Sequence, residues 1–362
     1  MRITFLTPAD NLTGGARVVA TYARLLQTRG HEVTVVSNAP DRPTLRQRLR
    51  AWRRGEPAEL RRTSRPETGH VALSGVPRRV LERPRPMESR DLPDADVLVA
   101  TWWETAVWAA AMPATKGRKV HLIQGYETWT GGDVTRRVQA ALKLPNRKLA
   151  ISAGLARDIE SDLGDLGIVV VPNAVDTALF DAPARERGSP PTVGFVYSPA
   201  PIKGADLCAQ AIRITRRHIP DLRVLAFGAE APTAYNPLPE GAEFVFRPAQ
   251  GTVPALYARC DAWLFASRLD SFGLPILEAM ACRTPVIGVP IGAAPELLAD
   301  GAGRLVPPES PEAMAAAIVD LISGPAPAWR AASDHAHRRA HGYSWDDATE
   351  RFLQAIAMEN AR

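Results

Sequence analysis

Short apolar runs of strand length alternate with amphipathic stretches of helix length along nearly the whole chain, the pattern of parallel sheets wrapped by helices. In the first half, Ile3 to Thr7, Glu32 to Ser37, Val97 to Thr101, Lys119 to Gln124 and Lys148 to Ser152 predict strands, with a helix over Gly15 to Thr28. After Ile168 to Pro172 the chain passes Asn173-Ala174-Val175-Asp176 and enters a proline- and charge-rich stretch, Asp181 to Pro191, that predicts a linker. The second half restarts the alternation. Strands are expected at Thr192 to Tyr197, Arg223 to Phe227, Glu243 to Phe246, Ala262 to Ala266, Pro285 to Val289 and Arg304 to Pro307. Helices are expected at Ala205 to His218, Val253 to Cys260, from Leu274, and at Pro311 to Ile322. The tail is an amphipathic run from Trp345 to Ala357 with Ser344 placed as its N-cap. Apart from the two halves there is no internal repeat.

The pattern therefore predicts an α/β chain of two doubly wound domains. A length of 362 residues agrees, because single cores stop growing near roughly 250 residues. Hydrophobic residues at 46% and charged residues at 23% exclude a disordered or fibrous chain. The uncharged stretches Thr105 to Thr115 and Thr284 to Pro295 fall short of the ~20 residues that span a bilayer. The chain opens directly on a strand, Arg2 to Leu6, without an apolar leader, so the expected location is the cytoplasm. Cys208, Cys260 and Cys282 are odd in number and far apart, which predicts reduced core thiols rather than a disulfide framework or a zinc site.

The formal charge of +5 is unevenly placed. Residues 41 to 90 carry 14 arginines, no lysine and six acids, a local balance of +8. This proline-rich segment reads as a surface excursion able to meet anionic lipid headgroups, a phosphorylated acceptor or nucleic acid. A solvated insertion without a partner fits the same composition, and the absence of any DNA- or RNA-binding pattern disfavours nucleic acid. Peripheral contact of the 42–90 segment with the inner face of the membrane is one of these readings.

Candidate chemistry gathers at three places. Gly14 and Gly15 sit where a strand and loop lead into a helix, at backbone N–H groups suited to an anion, although a simple tight turn reads similarly. The dinucleotide fingerprint of three spaced glycines is missing, which disfavours a nicotinamide enzyme. The segment Asp270-Ser271-Phe272-Gly273-Leu274-Pro275 leads from a buried strand into a helix carrying Glu278. Its N–H groups near Gly273 and Leu274 are expected to face a phosphate, and the carboxylates of Asp270 and Glu278 to accept hydrogen bonds from sugar or ribose hydroxyls. Lys203, the sole lysine after residue 148 among five in the chain, lies on the loop Ser198 to Gly204, where a parallel sheet presents ligand sites. There it suits a point-charge phosphate contact.

The segment Asp270 to Pro285 resembles the signature of the family-4 retaining glycosyltransferases, which carry two acids separated by seven residues. The resemblance extends to Gly14-Gly15 with Gly30-His31-Glu32-Val33, to Val171 through Asp176, to Lys203-Gly204 and to the aromatic tail helix. It implies the GT-B architecture: two Rossmann-like domains facing a cleft, with a C-terminal helix crossing back to the N-terminal domain. The implied divisions are 1–176, an acceptor domain; 177–342, a nucleotide-sugar domain; and 343–362, the crossover helix. It also implies transfer from a nucleoside-diphosphate sugar with retention, no metal cofactor, and a sugar, lipid-linked or small-molecule acceptor.

Carried over residue by residue, Lys203 would hold the diphosphate, Asp270 the donor sugar and Glu278 the ribose. Lys203 and Asp270 are thereby the catalytic candidates. Ser271, Phe272, Gly273 and Leu274 complete the donor loop, while Gly14 and Gly15 would close over donor or acceptor. Gln124, Tyr126 and Trp129 are candidate acceptor contacts. Four positions depart from the family pattern: Asp270 replaces a glutamate, Ser198 an arginine, Arg283 a common glycine, and Gln124-Gly125-Tyr126-Glu127 stands where many relatives have a histidine. Arg268 or Arg247 could stand in for the missing arginine. A phosphorylase or epimerase of the same architecture and a non-catalytic nucleotide-sugar binder remain alternatives.

Two further clusters are weaker. Of His335, His337 and His341, only the last two share an i,i+4 face, and a solvated helix is the expectation, with no metal. Trp102, Trp103, Glu104 and Trp108, with Tyr126 and Trp129, suit sugar stacking or core packing alike.

Overall fold

The computed structural model describes residues 1–40, 69–129 and 131–357. The chain forms two compact units, one built from Met1–Ile151, Asp158–Val171 and the stretch from Thr349 onward, the other from Ser152–Arg157 and Pro172–Ala348. Of the arginine-rich 42–90 segment, the part up to residue 68 lies outside the described residues.

The first unit holds a parallel sheet of β1 (Arg2–Thr7), β2 (Glu32–Ser37), β3 (Arg78–Val80), β4 (Val97–Ala100), β5 (Arg118–Ile123), β6 (Arg147–Ala150) and β7 (Val169–Val170), in the order β3-β2-β1-β4-β5-β6-β7. Phe5 pairs in register with Val35 and Val99, and all three are fully buried. Helices cover both faces of such a sheet, so its strands are continuous apolar runs. The helix Gly14–Thr28 starts at Thr13, whose hydroxyl accepts the Ala16 N–H, and buries Val18, Val19, Tyr22, Ala23 and Leu26. Ser344 caps the helix Trp345–Ala357 as expected, accepting the Asp347 N–H at 3.0 Å. Phe352 of that helix packs on Phe5 and Tyr22.

The second unit holds β8 (Thr192–Val196), β9 (Arg223–Gly228), β10 (Glu243–Phe246), β11 (Ala262–Phe265), β12 (Val286–Gly288) and β13 (Arg304–Leu305), all parallel, in the order β10-β9-β8-β11-β12-β13. The strand order reverses between β8 and β11. At such a switch point the loops leaving the carboxyl ends of neighbouring strands diverge and open a crevice. Those two loops carry Lys203 and Asp270.

Three sequence expectations need comment. β3 was not foreseen; its residues Arg78, Arg79 and Val80 are exposed and give no apolar signal. The cysteines are free and buried. In the described end of the arginine-rich segment Arg78, Arg79, Arg83 and Arg90 are exposed, while Arg85 makes a two-pronged contact to Asp91 at 2.6 and 2.8 Å, which lowers the Asp91 carboxyl to about 2, and Arg79 donates to the Asp91 carbonyl. Among the described residues no helix is long and apolar enough to cross a membrane.

Candidate active site

The loop after β8 ends in a tight turn, Pro201–Lys203, followed by Gly204 at φ 68°. Only glycine takes that left-handed conformation freely, and a Cβ here would also run into the Ala266 carbonyl oxygen. The turn is pinned to the neighbouring loop by the N–H groups of Arg268 and Leu269, which donate to the Ile202 carbonyl at 2.8 and 3.3 Å. This places the Lys203 ammonium 2.9 Å from Asp270 Oδ2. The lysine side chain remains 41% exposed, so it is accessible while paired.

Asp270 has a second task. Its Oδ1 accepts the N–H groups of Gly273 at 2.8 Å and Phe272 at 3.2 Å. The donor set expected to face a phosphate is accordingly thinner than the sequence suggested: the Gly273 N–H is taken, and Pro275 has none. Leu274, the first residue of the helix Leu274–Ala281, has no intrahelical acceptor for its N–H and remains the donor at this helix start. Gly273 at φ 84° allows the sharp entry, and Phe272 is buried beneath it. Two residues that sequence reasoning missed hold this loop. Ser152 donates its hydroxyl to the Ser271 carbonyl at 2.8 Å, and Gly292 lies so close that a Cβ there would be 2.6 Å from the Asp270 carbonyl oxygen.

Glu278 has a partner that the sequence did not show. Only 6% exposed, it accepts a hydrogen bond at Oε2 from the Tyr257 hydroxyl at 2.8 Å. Tyr257 is itself fully buried against Trp263, Phe227 and Phe180. Nothing in the sequence near Tyr257 signals this partnership. The two arginines considered as substitutes for Ser198 are also committed elsewhere. Arg268 grips Asp206 with two bonds of 2.8 Å and reaches Glu309 at 2.7 Å, and this holds the Asp206 carboxyl below its usual range. Arg247 donates to the Ala229 carbonyl and lies over the Phe246 ring. Arg283 adopts φ 60°, the conformation a glycine would favour, held by bonds to the Ala182 carbonyl and Asp334.

The remaining candidates belong to the first unit. Gly14 and Gly15 open its first helix, and a Cβ on Gly15 would lie 3.5 Å from Gln124 Oε1. That oxygen is buried and meets no donor among the described residues. Tyr126 is tied down, its hydroxyl donating to Asp162 and accepting from Gln139. Trp129 is half exposed, whereas Trp103 is buried under Arg137 and Trp108 packs against a core cluster, so those two are packing residues. Glu127 is 6% exposed, and burial raises its carboxyl to about 7; burial likewise drops His121 to about 3.

Residues 190–324 match the sequence family described as glycosyl transferases group 1, and residues 12–179 match glycosyltransferase family 4. A D-inositol 3-phosphate glycosyltransferase of Segniliparus rotundus is 32% identical over 209 residues, covering 51% of this chain and 46% of the relative. An MMP alpha-(1->4)-mannosyltransferase of Mycolicibacterium hassiacum is 26% identical, covering 69% and 64%. The chain thus spans only about half the length of the inositol-phosphate relatives. Among solved structures, HepE of Anabaena in complex with UDP superposes with a TM-score of 0.76 at 16% identity, over 99% of this chain and 100% of that one. A sucrose-phosphate synthase of Thermosynechococcus elongatus gives 0.71 at 16% identity over 99% and 98%. With two parallel α/β sheets, a switch-point pair of lysine and acid, and family matches over both halves, the chain belongs to the family-4, group 1 glycosyltransferases of GT-B architecture.

Proposed function

We propose that this chain transfers a sugar from a nucleoside-diphosphate sugar to an acceptor hydroxyl, with retention of anomeric configuration. The observation that carries the reading is the Lys203–Asp270 pair at the β8/β11 switch point, beside the start of the helix Leu274–Ala281. An ammonium has three N–H donors, so Lys203 can keep Asp270 and still reach a diphosphate oxygen. The Leu274 N–H and the positive end of the helix add to the same field. Departure of a nucleoside diphosphate builds negative charge on its terminal phosphate, where one pre-aimed donor is worth about 2.7–4 kcal/mol by analogy with oxyanion holes.

Asp270 meets the donor sugar and Glu278 the ribose. A carboxylate has about four lone-pair sites, so Glu278 accepts from ribose while it accepts from Tyr257. The acceptor hydroxyl attacks from the face the diphosphate leaves, and the departing phosphate oxygen takes its proton. Within the first unit, Gln124 Oε1 offers a buried hydrogen-bond acceptor and Trp129 an exposed ring, groups suited to a sugar hydroxyl and a sugar face. Gly14 and Gly15 supply backbone N–H groups. The names of the relatives, an inositol-phosphate glycosyltransferase and mannosyltransferases, favour a hydroxyl-rich sugar or cyclitol acceptor, free or lipid-linked.

The test combines a thermal-shift panel of UDP, GDP, dTDP and ADP with an assay of sugar release or transfer from the preferred nucleotide's sugars. One nucleotide should stabilise the protein in proportion to its affinity. Lys203→Ala and Glu278→Ala should each slow transfer by at least about a hundredfold. Near-normal turnover in both variants would contradict the assignment, and tight nucleotide binding with no turnover would make the chain a binding protein.

A further inference from the structure

We propose that Asp181, His337 and His341 form a binding site for a divalent transition-metal ion of the zinc, cobalt or nickel class. The site lies within the second unit, on residues that the transfer chemistry does not use. His337 and His341 occupy consecutive turns of one face near the end of the helix Ala326–His341, with ring centroids 4.0 Å apart. Helical spacing alone brings the two rings together; it does not make a site. The third group arrives from 156 residues earlier in the chain, where Asp181 begins the linker and sets its Oδ1 2.8 Å from His337 Nε2 and 3.9 Å from His341 Nε2. One ligand atom from each residue lies within 4.8 Å of the other two.

Metal–nitrogen and metal–oxygen bonds of about 2.0–2.2 Å place neighbouring ligand atoms roughly 3–3.5 Å apart. The observed separations of 2.8 and 3.9 Å bracket that spacing, so small rotations of surface side chains suffice. Two imidazoles and one carboxylate are a donor set that suits zinc and its neighbours, with open positions left for water.

A feature around the rings supports the assignment. His341 Nδ1 is 2.9 Å from the His337 carbonyl oxygen, which can only accept, so Nδ1 carries the proton and the lone pair of the neutral ring sits on Nε2, toward Asp181. Metal-binding histidines are oriented by such a hydrogen bond from the other ring nitrogen. Arg283, whose positive charge acts on His337, is paired with Asp334 and the Ala182 carbonyl, so its charge is locally offset.

The experiment uses the full chain without a histidine tag, freed of metal by a chelator and then titrated with Co2+ and with Zn2+, read by calorimetry and by the visible absorption of bound cobalt. One equivalent of either metal should bind, with cobalt bands typical of nitrogen and oxygen ligation. His337→Ala and His341→Ala should each weaken binding at least about tenfold, Asp181→Asn should weaken it less, and His335→Ala should leave it unchanged. Absence of stoichiometric binding, or binding that survives the His337→Ala, His341→Ala double variant, would overturn the proposal. Retained thermal stability of the metal-free variants shows that a lost signal reflects lost ligands.

Discussion

Replacing Tyr257 by phenylalanine removes one oxygen and leaves the ring among Phe180, Phe227 and Trp263, so the packing volume is nearly conserved and no cavity larger than a hydroxyl forms. What is lost is the 2.8 Å bond to Glu278, an acidic group only 6% exposed. A hydrogen bond to a charged group contributes about 1.5–3 kcal/mol, and water cannot readily replace it at this depth. Since 1 kcal/mol moves the midpoint of a domain of this size by about 2–4 °C, the Tyr257→Phe melting temperature should fall by roughly 3–12 °C. Calorimetry resolves the transition, and calorimetric titration with the preferred nucleotide reads the second consequence. Glu278 loses the contact that orients it, so nucleotide affinity should weaken as well. Unchanged stability would mean that the bond is not made. A stability loss with unaltered affinity would show that Tyr257 supports the fold and has no part in aiming Glu278.

Other expectations follow from the same geometry. Glu127, raised from 4.5 to about 7, favours the folded state while it is protonated, and that contribution is lost as pH climbs through this window. His121, lowered from 6.5 to about 3, does the reverse, its contribution being lost as pH falls below 6.5. The two slopes oppose each other between about pH 4.5 and 6.5; Glu127→Gln should therefore expose a stability rise of about 1.4 kcal/mol per pH unit across that range, measurable by denaturant titration, and an unaltered profile would refute the burial argument. Gly204→Ala, forced to φ 68° against the Ala266 carbonyl, should destabilise the second unit by about 1–3 kcal/mol and weaken nucleotide binding by displacing Lys203; a normal melt would show that the turn relaxes freely.

Much of the fold was legible because buried parallel strands are written as unbroken apolar runs, and every such run in the second unit became a strand within a residue or two. β3 was hidden because Arg78 and Arg79 carry no apolar signal. The pairing of Lys203 with Asp270, 67 residues apart, follows from the switch-point rule once the strand order is known, so the sequence could point to the residues but not to their contact. The capture of the Gly273 N–H by Asp270 is a local three-residue pattern that short polar side chains commonly form. Tyr257 and Glu278 meet across 21 residues, and Ser152 reaches Ser271 across 119. Neither contact leaves a trace in periodicity or composition.

The scarcity of lysine gives Lys203 an experimental use. The other four lysines lie at or before residue 148, so amine-directed reagents address the second unit at a single side-chain atom. That atom stands partly open to solvent against a carboxylate. Acylation of the 203 peptide, followed by mass spectrometry, therefore reads occupancy at the switch point directly, one nucleotide at a time, before any acceptor is known.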